Sequence, residues 1–243
     1  MSKLIGVVPA AGKGTRLLSL TENTPKALLK LNGKPLIQYT LEALIKLEVT
    51  EIIIIIGYQG NEIRRFVESL SLSIPIKILE QKKLNGLPGA ILTAKEYLKD
   101  SSFIVYPPDN LFTKDQKENL KKHISTGAII TLLYEEKKID FPRSRVIVSN
   151  EEIKEISISQ PGSIAKITTG LSFHSSEFIQ YLKDLHPTNK GEYEMRDAIK
   201  EILAKKKLVI GLPVIGNRLE ITSPEDYQNL SQLINENKVL LYS

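Results

Sequence analysis

The sequence contains no cysteine and no tryptophan, and its three histidines, His123, His174 and His186, are scattered. Without cysteine there is no disulfide framework, thiolate nucleophile, zinc–cysteine site or iron–sulfur cluster. Three separated histidines argue against a histidine-rich metal site. Long apolar runs are missing too: the longest aliphatic stretch, Ile52 to Ile56, is far short of the roughly 20 residues of a membrane span. The segment from Met1 to Ala11 has too short an apolar core for a signal peptide and meets Lys13 and Arg16 at once, so a cytoplasmic protein is expected.

Charge of one sign is not in strong excess. Lys and Arg total 33 against 28 Asp and Glu, a net +5. The densest basic runs, Lys205 to Lys207 and Lys121 to Lys122, lie in stretches that also carry Glu201 and Glu118. They read as solvated helix faces, so neither a nucleic-acid nor a membrane partner is expected. A mild positive balance does suit a pocket for phosphorylated small molecules.

What is present is a regular alternation of short apolar runs and amphipathic stretches. Leu4 to Pro9, Ile52 to Ile56, Ile74 to Ile78 and Phe103 to Tyr106 read as strands. Pro35 to Leu47, Glu62 to Leu70 and Pro88 to Leu98 read as helices between them. Strand–helix–strand at this spacing predicts right-handed crossovers, hence an α/β, Rossmann-like, mostly parallel sheet with helices on both faces. After about residue 127 the pattern turns β-rich, with strands at 128–134, 145–149 and 152–157, the last two a hairpin around Asn150. A strand at 169–174, helices at 176–185 and 193–206, a strand at 208–214 and a helix at 224–235 complete the reading. One α/β domain is expected, with a smaller β-rich lobe inserted in its second half. Ligands of open α/β sheets sit beyond the carboxyl ends of the strands, which puts the loops after Pro9, Gln81 and Tyr106 on one rim.

The densest chemistry follows the first strand: Pro9-Ala10-Ala11-Gly12-Lys13-Gly14-Thr15-Arg16-Leu17. It is not a Walker A loop, because no Gly-Lys-Ser/Thr ends it, nor the dinucleotide fingerprint, because Leu17 stands at the third glycine position. Glycines let backbone N–H groups approach phosphate oxygens, and Arg16 can add a bidentate charged contact. A turn of this composition also occurs with no ligand. Thr24-Pro25-Lys26-Ala27-Leu28-Leu29 and Asn32-Gly33-Lys34-Pro35-Leu36-Ile37 follow. A lysine on a proline-stiffened backbone suits a phosphorus centre that gathers negative charge.

Together these three segments resemble the signature of the sugar-1-phosphate nucleotidyltransferases, with the glucose-1-phosphate thymidylyltransferases and uridylyltransferases as the nearest look-alikes. The resemblance extends thinly along the chain. Gln81, Gly86 and Pro88-Gly89-Ala90 look like the family's base-reading loop, and Pro108-Asp109-Asn110 like its magnesium-binding Gly-Asp-Asn element. Thr169-Gly170 and Gly191-Glu192 resemble sugar-contacting segments, and Glu220 stands where a second carboxylate is usual. The resemblance implies the nucleotide-diphospho-sugar transferase fold and an enzyme that moves a nucleotidyl group from UTP or dTTP to a sugar-1-phosphate. Arg16, Lys26 and Asp109 are its implied catalytic residues. Residues Ala10 to Arg16, Lys26, Gln81 and Gly86 would bind the nucleotide, and Asp109 with Glu220 would bind Mg²⁺. Asn110, Gly170 and Glu192 would face the acceptor. A homo-oligomer is left open.

The acceptor half departs from the pattern. Ile158-Ser159-Gln160-Pro161 falls where the family carries Glu-Glu-Lys-Pro, so its sugar-contacting glutamate and phosphate-contacting lysine are missing. Arg145 replaces a glycine, Pro108 another, and Glu220 an aspartate. Lys166 or Arg145 is the expected replacement for the lost cation. The same departures admit two other readings: transfer from CTP to a small phosphorylated alcohol such as phosphocholine, or a non-catalytic sensor of nucleotides or nucleotide sugars.

Overall fold

Alternation along two neighbouring strands divides the core into layers. The computed structural model describes residues 3–189, 191–236 and 238–242. In chain order the strands are β1 (Leu4–Ala10), β2 (Lys30–Leu31), β3 (Lys34–Pro35), β4 (Glu51–Ile56), β5 (Ile76–Glu80), β6 (Ser102–Val105) and β7 (Asn110–Phe112). They continue as β8 (Ile130–Lys138), β9 (Ser144–Ser149), β10 (Glu152–Ile158), β11 (Ile164–His174), β12 (Val209–Pro213) and β13 (Arg218–Glu220). The helices are α1 (Leu36–Lys46), α2 (Gly60–Glu68), α3 (Gly86–Thr93), α4 (Lys95–Leu98), α5 (Lys117–Thr126), α6 (Gln180–Lys183), α7 (Met195–Ala204) and α8 (Pro224–Asn235).

Ile5 and Val7 of β1, with Ile53 and Ile55 of β4, join Ile91 of α3, Tyr181 of α6 and Ile199 of α7 in one buried cluster. The intervening Val8, Ile52, Ile54 and Ile56 join Leu41 of α1, Ile63 of α2 and Leu120 of α5 in another. A strand buried on both sides needs an apolar residue at every position, which is why Ile52 to Ile56 reads as an unbroken run. Helices therefore cover both faces, as expected.

Nine strands form one sheet in the order β5-β4-β1-β6-β11-β8-β12-β10-β9. The first four are parallel. Beyond them β11 is antiparallel to β6 and β8, β12 is parallel to β8, and the β9–β10 hairpin is antiparallel to its neighbours. The mostly parallel sheet expected from the crossover pattern thus holds in the first half, and the whole sheet is mixed. The connections from β8 to β9 and from β10 to β11 are too short for the crossover that parallel pairing requires. The hairpin turns at Asn150 and Glu151, both left-handed with φ of 49° and 64°, the backbone of a type I′ turn.

The short β2–β3 ladder was not read from the sequence, nor were two further elements. One is α5, whose buried side is built from Asn119, Leu120 and His123 and so has little apolar periodicity. The other is the two-stranded ladder of β7 and β13, which pairs Asn110 with Glu220. A third cluster packs Leu17, Leu29, Leu31 and Leu111 against Ile221 and Leu230 of the C-terminal part. It anchors the loop after β1 and the β7–β13 ladder to one base.

Candidate active site

At the carboxyl end of β1 the chain turns through Ala11 to Gly14 into a 3₁₀ turn over Thr15–Thr21. Gly14 adopts φ 66°, and a Cβ there would come within 3.1 Å of Lys26 Cβ. Both favour glycine. The Gly14 carbonyl accepts from Leu17 N at 2.9 Å and from Thr21 Oγ1 at 3.1 Å, closing the turn. Leu17 is buried beneath it, which accounts for leucine in place of a third glycine. The loop is braced at Ala11, whose carbonyl accepts from Tyr58 N at 3.1 Å.

This loop lines a cavity of about 750 Å³, together with Gln81, Leu84, Gly86, Leu87, Pro107, Asp109, Asn110 and Glu192. The volume falls in the range of sites that enclose a small organic ligand. Gly12, Lys13, Gly14, Thr15 and Arg16 all line it, with Lys13 and Arg16 exposed. Ala10 ends β1 and lies behind the wall.

Lys26 opens a short 3₁₀ turn directly after Pro25 and reaches across to Asp109. Its Nζ donates to Asp109 Oδ2 at 2.5 Å. Asp109 Oδ1 accepts from Asn110 Nδ2 at 2.7 Å, and Asn110 Oδ1 accepts from Arg218 Nε at 2.6 Å. Arg218 also binds Glu135 at 2.6 Å and Glu220 at 2.7 Å, with its side chain only 2% exposed. Arg143 holds the other oxygen of Glu220. Five polar links therefore join Lys26 to Arg143, and every charge in the run has an opposite partner, the condition for keeping such groups partly buried.

The ladder of β7 and β13 brings Glu220 beside Asp109, and Ile221 N donates to the Asp109 carbonyl at 3.2 Å. Two carboxylates beside a ligand-sized cavity are a donor set that fits a hard divalent cation sharing substrate oxygens. Asp109 lines the cavity and fits once Lys26 releases its Oδ2. Glu220 has both oxygens on arginines and fits only when Arg143 is displaced. Among the described residues no group of three or more His, Asp or Glu forms a ready cage for a metal.

The expected acceptor cations lie elsewhere. Arg145 on β9 donates through Nε to Ser157 Oγ of β10 at 3.0 Å and lies 3.6 Å from Glu155. Lys166 on β11 sits over the Tyr134 ring at 5.3 Å. Neither lines the cavity, because each is committed to a neighbouring strand. Gly170 marks a register shift in β11 at φ 59°, where a Cβ would come within 3.0 Å of Pro107 and 3.3 Å of Asn110. It lines a separate hollow of about 100 Å³ with Thr169 and Arg196. Arg143, Arg218 and Asn85 were missed as contributors. The spacing of Arg218 and Glu220 was a usable signal, since residues two apart on a strand share a face.

A model of the nucleotidyl transferase family matches residues 5–235. The chain belongs to that family. The resemblance carried by residues 9 to 37 therefore extends over almost the full length. This nucleotidyl transferase is 30% identical over 240 residues to the UTP–glucose-1-phosphate uridylyltransferase AglF of Haloferax volcanii, covering 95% of this chain and 96% of that one. It is 30% identical over 239 residues to the bifunctional protein GlmU of Methanocaldococcus jannaschii, covering 97% of this chain but 54% of GlmU. The chain thus spans about half the length of that relative. A UDP-glucose pyrophosphorylase solved with UDP-glucose shares the fold at a TM-score of 0.81 and 24% identity, covering 98% of this chain and all of that one. The protein is an enzyme of the nucleotidyltransferase kind. No helix among the described residues is long and apolar enough to cross a membrane.

Proposed function

We propose that the enzyme transfers a uridylyl or thymidylyl group from UTP or dTTP to a sugar-1-phosphate, releasing pyrophosphate and an NDP-sugar. Under this reading residues 1–126 serve the nucleotide and 127–243 the acceptor, in a cytoplasmic protein. The observation that carries it is one cavity lined together by the glycine loop with Arg16, by Gln81 and by Asp109, whose carboxylate is held by Lys26.

Arg16 grips the β- and γ-phosphates, assisted by backbone N–H groups from Gly12 to Thr15. Lys26 turns from Asp109 to the α-phosphate and the incoming acceptor phosphate, whose oxygen attacks the α-phosphorus in line. Catalysis of this kind is positioning and charge neutralisation, with no covalent enzyme intermediate. Asp109 and Glu220 would hold Mg²⁺, which when bound neutralises charge on the triphosphate. Asn110 and Glu192 border the acceptor end, with Gly170 behind Asn110.

The test is pyrophosphate release with Mg²⁺ across a grid of UTP, dTTP, CTP, ATP and GTP against sugar-1-phosphates and phosphocholine. Activity with UTP or dTTP and one sugar-1-phosphate is expected. Activity only with CTP and phosphocholine would replace this reading. A blank grid with nucleotide binding intact would favour a sensor or an acceptor outside the grid.

A further inference from the structure

The side chain of Gln81 is held in one orientation by its surroundings. Its backbone N–H donates to Ile56 O at 2.8 Å, and the residue is only 7% exposed although it lines the cavity. Its Nε2 lies 3.2 Å from the Gly86 carbonyl oxygen and 2.8 Å from Asn85 Oδ1. A carbonyl oxygen can only accept, so the contact with Gly86 decides which end of the Gln81 amide is nitrogen. Both amide hydrogens are then used within the protein. Oε1 is left with its lone pairs and no donor from the described residues.

Asn85 is fixed as firmly. Its N–H donates to Lys83 O at 2.9 Å and its carbonyl accepts from Tyr193 N at 2.8 Å. Its Oδ1 lies 1.7 Å from where a Cβ on Gly89 would stand, so the amide occupies the space a side chain there would need. Gly86 has φ 88°, and a Cβ on it would be 2.5 Å from Tyr193 O. The 85–86 turn therefore has one conformation, clamped from the far side by the segment that carries Tyr193.

We propose that Asn85, with the Gly86 carbonyl, is a positioning residue that makes the pocket read a pyrimidine through Gln81 Oε1 alone, selecting uracil or thymine and rejecting cytosine. Uracil and thymine carry a ring N3–H flanked by carbonyl oxygens. The N3–H donates to Gln81 Oε1, and a carbonyl meets the first-turn N–H groups of α3 at Gly86 and Leu87, which have no acceptor within the helix and belong to cavity-lining residues. Cytosine keeps the 2-carbonyl but presents an N3 lone pair to Gln81 Oε1 and an amino group in place of the 4-carbonyl, so the hydrogen bond to Gln81 is lost in either case. A site built to bond a ring N–H discriminates against a base that lacks it, because buried polar groups are left unpaired. The inference rests on the nucleotide reading of the cavity and deepens it.

The experiment measures equilibrium binding of UTP and CTP with Mg²⁺ and no acceptor, for wild type, Asn85→Ala and Asn85→Asp. Wild type is expected to prefer UTP by about tenfold or more. Asn85→Ala removes the shorter of the two contacts and leaves the Gln81 amide on the Gly86 carbonyl at 3.2 Å alone, so it turns more readily to offer N–H to cytosine and the ratio should fall to about threefold or less, while Asn85→Asp keeps an acceptor and keeps the ratio. An Asn85→Ala protein that loses affinity for both nucleotides equally, or an Asn85→Asp protein that loses the preference, would overturn the lock and leave the nucleotide site standing. A wild type that prefers CTP would overturn it as well. A wild type that binds neither nucleotide would remove the nucleotide reading itself.

Discussion

Lys26 Nζ lies 2.5 Å from Asp109 Oδ2, across 83 residues of sequence, at a place where neither side chain is deeply buried. The side chains are 18% and 26% exposed, so the pair adds little to stability, on the order of 1 kcal/mol or less. Its importance is chemical: each charge waits for a ligand of the opposite sign. Lys26→Ala is therefore expected to lower kcat about 10²-fold or more while moving the melting temperature little. Steady-state kinetics beside a thermal melt checks both halves. Near-full activity would remove Lys26 from the chemistry, and a collapsed melt would make it structural.

Arg218 should behave in the opposite way. Its guanidinium is bonded to Asn110, Glu135 and Glu220 and is almost wholly enclosed. Removing one partner from a buried ionic cluster leaves the others uncompensated, at a cost of about 3–5 kcal/mol. Arg218→Met should thus destabilise the fold strongly in urea titrations. Unchanged stability would show that the cluster relaxes into water.

Arg143 stands closest to the lost acceptor cation in one specific sense. Its backbone pairs with Ser159, accepting from Ser159 N at 2.8 Å and donating to Ser159 Oγ at 3.0 Å. It is thus tied to the Ser159-Gln160-Pro161 segment that lacks the expected lysine, and its guanidinium already sits on Glu220. Arg143→Ala is expected to raise the KM for the acceptor about tenfold with the nucleotide KM held, and Arg143→Lys to recover part of the loss. An acceptor KM that does not move would return the search to Lys166 and Arg145.

The local and the long-range parts of this site differ in how far the sequence discloses them. The glycine loop, Arg16 and Pro25-Lys26 lie within one stretch, where turn chemistry and charge are written in adjacent residues, and the resemblance over residues 9 to 37 rests on them. The strands β1, β4, β6 and β12 were legible because burial on both faces demands unbroken apolar runs. Strand direction was not legible beyond β6, since hydrophobic alternation is the same for parallel and antiparallel neighbours. The partners of Glu220 were invisible for a related reason: Arg143 is 77 residues away and joins it only through tertiary folding. The Gln81–Asn85 contact, four residues apart, was local yet overlooked, because two amides carry no charge signal.

Two buried histidines set how the protein responds to acid. His123 is 4% exposed and bonds Thr131 Oγ1 through Nδ1 at 2.9 Å; His174 is fully buried, stacked on Phe103 with centroids 4.6 Å apart. Burial pushes His123 down to about 4 and His174 well below the usual histidine range, where the nearby His123 adds repulsion. Folded-state values below the unfolded one mean that the unfolded chain binds protons first as the pH falls. Stability is then highest above about pH 6.5 and declines as the pH drops toward 4, with His123 alone removing about 2 kcal/mol by pH 5. Denaturant titrations between pH 7.5 and 5 should show this loss, and His123→Gln should flatten part of the slope. A pH-independent midpoint in wild type would mean that the two imidazoles become solvated without unfolding, which the apolar walls around His174, Phe103 and Phe178 argue against.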